Sequence, residues 1–223
     1  MTDEDPPVPP GGRPVVAPVW EPWDPDQLPE LLRGVTAPWY VAGGWAIDLF
    51  RGEQTREHED LEIGLPGTPE AFGQIRRALA DYDLEVIGSG LAWPLDSPAF
   101  EVMHQTWVSE QARPVAGGPS EQSAKPLRVY RLDIFREPQR HGRWVCRRDE
   151  RIELPYDEVI RHSANGIPYL APHLGLLFKA KHARPKDAFD LTGTLPRLTD
   201  AERDWLARTL RQVQPGHDWL GLI

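Results

Sequence analysis

Asp60 and Glu62 stand two residues apart in the stretch Glu59 to Leu65. The stretch alternates, with Leu61, Ile63 and Leu65 on one face and the two acids on the other, which predicts a half-buried strand. Residues at i and i+2 of a strand point to the same side. Two carboxylates held together repel, and each raises the proton affinity of the other. A hard cation removes that conflict, and magnesium takes a few carboxylate oxygens together with water and phosphate oxygens. Taken alone, the pair is weak evidence, and an ordinary solvent-facing strand edge is the favoured reading.

Two further features shift the balance. Upstream, Gly43-Gly44 separates a short strand, Trp39 to Val41, from a helix expected over Trp45 to Phe50. Bare backbone N–H groups at a helix start bind anions, and glycine lets a phosphate come close. Downstream, Asp133 lies in an apolar strand spanning Arg128 to Phe135, where an unpaired charge is costly. Arg131, on the same face, offers it a plain salt bridge; joining the acidic pair at a metal is the other reading. Arg56 and His58 precede the acids and suit a phosphate or sugar contact, or simply a loop and a strand entry. Lys179 and Lys181 are two apart, so a helix cannot present both to one cleft; Lys179 lies nearer the apolar stripe. Asp48 is expected to organise the Gly-Gly turn or to pair with an arginine. Trp45 and Trp205 are read as core. Trp93 and Trp107 are read as packing, with a pocket role as the alternative.

The elements that position these residues are legible in outline. A helix is expected over Pro25 to Arg33, capped by Asp24 and stopped at Gly34. Another runs from Thr68-Pro69-Glu70 to about Tyr82. Strands are expected over Leu84 to Ile87, Glu101 to Val108 and Trp144 to Cys146, with a loop over Ala112 to Lys125. Helices follow over Pro172 to Ala183, Lys186 to Leu191 and Thr199 to Val213, the last opened by the capping box Thr199–Glu202. Strands thus cluster early and helices late, which predicts an α+β fold: a mixed sheet flanked by helices, with a helical C-terminal part. The expected division is a disordered Pro-rich tail over 1–18, a catalytic-type domain over 19–158 and a helical domain over 159–223.

Composition narrows the class. The chain has 223 residues, 40% hydrophobic, enough for an ordinary core. Its 25 basic and 34 acidic residues give a net charge of −9, which disfavours nucleic acid and favours a cationic small molecule. No apolar run is long enough to span a membrane. The single Cys146 has no internal disulfide partner, so a reducing, cytoplasmic setting is expected.

The stretch GGWAIDLFRGEQTREHEDLEIGL, Gly43 to Leu65, resembles the aminoglycoside and lincosamide nucleotidyltransferases of the polymerase-β-like superfamily. LDIFRE, Leu132 to Glu137, is similar to the strand carrying their third carboxylate, and IPYLAPHLGLLFKAKHARPKD, Ile167 to Asp187, to the start of the helical part. The resemblance implies that Asp60, Glu62 and Asp133 hold magnesium, with Asp133 as general base. It implies that Gly43 and Gly44 line the triphosphate, with Arg56, His58 and Lys179 as further nucleotide contacts. The implied reaction moves a nucleoside monophosphate, AMP from ATP, onto a hydroxyl of an aminoglycoside-like or lincosamide-like molecule. Two alternatives are a protein or tRNA acceptor, as in toxin–antitoxin nucleotidyltransferases, and a non-catalytic nucleotide-binding module. Glu62 departs from the aspartate of the aminoglycoside enzymes; its extra methylene still reaches a metal.

Overall fold

The computed structural model describes residues 8–110 and 128–223. Its strands are β1 (Arg13–Pro14), β2 (Val19–Trp20), β3 (Tyr40–Val41), β4 (Glu62–Pro66), β5 (Tyr82–Gly88), β6 (Leu91–Pro94) and β7 (Gln105–Glu110). They continue with β8 (Val129–Glu137), β9 (Gln139–Arg140), β10 (Arg143–Val145), β11 (Glu153–Leu154), β12 (Ile160–His162) and β13 (Pro168–Leu170). The α-helices are α1 (Leu28–Leu31), α2 (Gly43–Arg51), α3 (Pro69–Ala78), α4 (Ala99–Val102), α5 (Tyr156–Val159), α6 (Pro172–Lys179), α7 (Pro185–Thr194) and α8 (Asp200–Val213).

One mixed sheet runs β1-β6-β5-β7-β8-β4-β3-β13-β12, with β2 beside the start of β8, and β9 to β11 form a small second sheet. At its centre β4 and β8 run parallel, placing Glu62 opposite Asp133 and Gly64 opposite Phe135. On the far side of β8, β7 runs antiparallel and sets Trp107 opposite Asp133. The period-2 pattern of β8 explains its place. Leu132 and Ile134 are fully buried on one face, while Asp133, Phe135 and Glu137 share the other. Ile47 of α2, Ile63 of β4, Leu177 of α6 and Leu206 of α8 belong to one buried core, so the helices flank the sheet as an α+β fold requires.

Several boundaries differ from expectation, each for a physical reason. Gly43 and Gly44 are the first turn of α2 instead of preceding it, with Ala42 at the cap and no side-chain capping bond. β4 begins only at Glu62, so Asp60 is a loop residue and does not share a strand face with Glu62. The strand expected from Glu101 splits into α4 and β7. Helix α3 ends at Ala78, and β5 takes Tyr82. The expected helix over Pro25 to Arg33 is a 3-10 turn, Pro25–Gln27, followed by α1, with the Asp24 cap in place.

Residues 159–223 are not wholly helical, because β12 and β13 extend the main sheet through β3. The Pro-rich segment is not a free tail from residue 8 onward. β1 pairs with β6, and the Trp93 indole N–H donates to the Pro10 carbonyl at 3.2 Å. Residues 1–7 and the loop expected over Ala112 to Lys125 lie outside the described residues. The capping box of α8 is present as expected.

Candidate active site

The C-terminal end of β3 delivers the chain into α2 with Gly43 at φ +63°, a left-handed conformation that glycine adopts without strain. A Cβ on Gly43 would fall on the Glu62 carboxylate, and one on Gly44 on the side chains of His58 and Arg56, each inside 3.0 Å. The two glycines therefore hold open a cleft between the helix start and the acidic strand. That cleft is a cavity of about 330 Å³ lined by Gly43, Gly44, Arg56, His58, Asp60, Glu62 and Lys179 among others. Seven of the eight expected site residues thus meet in one place, and the eighth, Asp133, lies behind the lining as the register partner of Glu62.

The carboxylates are electrostatically strained. Burial, with the nearby Asp60 charge adding to it, pushes Glu62 up to about 7. Asp133 is 2% exposed, and burial, reinforced by the Glu62 charge, raises it well above the usual carboxylate range. Its Oδ2 accepts from Gln105 Nε2 at 2.7 Å, while Oδ1 is buried without a hydrogen-bond partner. Arg131 pairs with Glu21 and Glu110 instead, so the plain salt bridge to Asp133 is not made. Among the described residues, no three His, Cys, Asp or Glu side chains converge into a metal cage. The chemistry still fits a hard divalent cation. An orphaned buried carboxylate oxygen and mutually repelling acids are what such an ion relieves, and magnesium needs only one or two carboxylates beside phosphate and water.

Arg56 and Lys179 are held by acids on α7, and His58 meets an acid on α2. Arg56 grips Asp190 through Nε at 3.1 Å and Nη2 at 3.0 Å, and Lys179 Nζ lies 2.8 Å from Asp190 and 3.6 Å from Asp187. Burial opposes the charge of Asp190, but Arg56 and Lys179 prevail and hold its carboxyl below the usual value. His58 Nε2 meets Asp48 Oδ2 at 2.5 Å and its ring stacks on Trp45 at 4.6 Å. Asp48 therefore pairs with a histidine, not with an arginine. Lys181 lines the cavity too, from beyond the end of α6. Trp93 is core at 1% exposure, whereas Trp107 packs on Trp20 and Tyr130 at 4.9 and 4.8 Å.

Sequence reasoning passed over Asp190, Glu137 and Arg147. Asp190 and Glu137 are almost fully buried acids, and Arg147 lines the cavity. Glu137 alone carried a signal, being on the Asp133 face of β8.

A glycine-opened helix end beside carboxylates on adjacent parallel strands fits the nucleotidyltransferase-type core that the resemblance implies. The resemblance read from Gly43 to Leu65 is borne out by comparison with known proteins. Residues 26–91 match the family described as aminoglycoside-2''-adenylyltransferase. A 2''-aminoglycoside nucleotidyltransferase of Klebsiella pneumoniae is 34% identical over 59 residues, which span 26% of this chain and 29% of that relative.

Among solved structures, ANT(2'')-Ia in complex with adenylyl-2''-tobramycin aligns with a TM-score of 0.50 at 14% identity, covering 84% of this chain and 94% of that one. The lincomycin-bound lincosamide antibiotic adenylyltransferase LnuA aligns at 0.47 and 18%, covering 75% and 91%. The fold is thus the one seen in ANT(2'')-Ia. Among the described residues, no helix is long and apolar enough to cross a membrane.

Proposed function

We propose that this chain is a magnesium-dependent nucleotidyltransferase that moves AMP from ATP onto a hydroxyl of a small cationic acceptor of the aminoglycoside or lincosamide kind. The observation that carries this reading is the register pair Glu62–Asp133 set beside the open Gly43–Gly44 helix start. The triphosphate suits that helix start, where unpaired N–H groups and the α2 dipole favour anions. Arg56 and Lys179, both lining the cavity, offset its charge. Asp60, Glu62 and Asp133 are the residues that would hold magnesium, which when bound supplies charge neutralisation at the transferring phosphate. Asp133, the register partner of Glu62 behind the cavity lining, is the residue we assign as acceptor of the substrate's hydroxyl proton. The net charge of −9 favours the approach of a polycation to the molecule as a whole.

Incubation with α-labelled ATP, magnesium and a panel of aminoglycosides and lincosamides tests the reading. Label is expected on at least one acceptor, with pyrophosphate released. Asp133→Asn is expected to abolish transfer with the fold intact, and a variant with wild-type turnover would remove Asp133 from the chemistry. Absence of nucleotide binding by the wild-type chain would overturn the enzyme reading altogether.

A further inference from the structure

The cavity has two chemically different ends. One is the polar cradle of Gly43, Gly44 and the cations. The other is aromatic, lined by Phe135 and Phe178, with Arg147 and Glu137 beside them. There the Arg147 guanidinium lies between two rings, 4.7 Å from the centre of Phe135 and 5.2 Å from that of Phe178. Glu137, 3% exposed, holds it through Nε at 2.7 Å and Nη2 at 3.3 Å. Phe135 and Phe178 are only partly buried although they pack beside the core.

Strand geometry sets the spacing between the ends. Asp133, Phe135 and Glu137 follow one another on one face of β8, so Glu137 lies about 13 Å along the strand from Asp133. A nucleotide whose α-phosphate sits by the carboxylates spans that distance with its sugar and base. Stacked aromatic and guanidinium groups take planar rings of any nucleobase, because every base has a π face.

We propose that the Phe135–Arg147–Phe178 stack is the nucleobase subsite of the donor, with Glu137 a positioning residue that keeps the guanidinium flat between the rings. The inference rests on the nucleotidyltransferase reading, and it assigns to the cavity a division that the family match over residues 26–91 does not reach.

Calorimetric titration of the full chain with ATP and with inorganic tripolyphosphate, both with magnesium, separates the two ends. The wild type is expected to bind ATP more tightly than tripolyphosphate. Phe178→Ala is expected to lose about tenfold in ATP affinity with tripolyphosphate affinity unchanged, and Phe178→Tyr to restore ATP binding. An equal loss for both ligands marks Phe178 as merely structural and overturns the subsite. So does an unchanged ratio of the two affinities. If the wild type binds neither ligand, the transferase reading itself fails and the subsite with it; if ATP binds and the ratio does not move, only the subsite fails.

Discussion

Gly43 carries two constraints at one residue. Its φ of +63° disfavours any side chain, and a Cβ there would strike the Glu62 carboxylate. Gly43→Ala therefore costs about 1 kcal/mol or more in backbone strain and also displaces a carboxylate of the candidate site. Labelled-ATP transfer by this variant is expected to fall at least tenfold, with a thermal midpoint only a few degrees lower. Gly44→Ala has no such φ penalty, yet its Cβ would meet His58 and Arg56. Its effect is expected chiefly on nucleotide affinity, read as a raised KM for ATP. A Gly43→Ala variant with unchanged transfer would show that Glu62 moves aside freely.

At the scale of elements, α6 and α8 carry the clearest pH signature. His173 of α6 is 9% exposed, with Nδ1 3.4 Å from Glu202 of α8 and its ring edge-on to Trp205 at 5.0 Å. Burial lowers its pKa from 6.5 to about 4, although the Glu202 charge resists. Above pH 6.5 both folded and unfolded chains hold this histidine neutral, so it adds no pH dependence. Below 6.5 the unfolded chain takes up a proton that the folded chain refuses until about 4. Stability is thus lost as pH falls through that window, by up to about 3 kcal/mol. Urea midpoints of the wild type and His173→Gln, compared from pH 7 to 4, are expected to converge or cross as pH falls, because the variant lacks this proton. Parallel curves would mean that His173 is not held neutral.

The same two helices show what could be read in advance. The capping box of α8 and the alternation of β8 rest on local chemistry, so their residues announce them. β1, β2, β12 and β13 are two or three residues long, and their hydrogen bonds go to distant segments, so nothing local marks them. Asp60 looked like a strand residue because alternation continues one step past the point where pairing with β8 begins. Asp190 was illegible for the same reason as the short strands: its partners, Arg56 and Lys179, come from other elements. Gly43, Gly44, Asp60 and Glu62 were legible because they fall in one contiguous run, and Asp133 because it interrupts an apolar strand, whereas the aromatic end of the cavity is assembled from β8, β10's flank and α6.

At the scale of the whole molecule, the N-terminal segment ties the outer edge of the sheet to its central strand β8. β1 pairs with β6 at one end, β2 pairs with β8 next to Asp133's strand segment, and only residues 15–18 lie between. Arg13 reaches Glu85 of β5 with Nη2 at 2.9 Å from each carboxylate oxygen. Gly12 leaves no room for a Cβ beside the Trp93 ring, which shows how tightly the segment covers that indole. Deleting residues 1–18 removes the edge strand and the Pro10 carbonyl that Trp93 uses, so the indole meets water. The expected result is a red-shifted tryptophan emission and a stability loss of about 2–3 kcal/mol, on the scale of one large buried side chain. Gly12→Ala tests the same contact with the segment retained. It is expected to lower the midpoint by less than the deletion does, since the β1 pairing is retained while the segment moves off the indole. A truncated chain with unchanged emission and unchanged midpoint would mean that β1 contributes no packing to the fold.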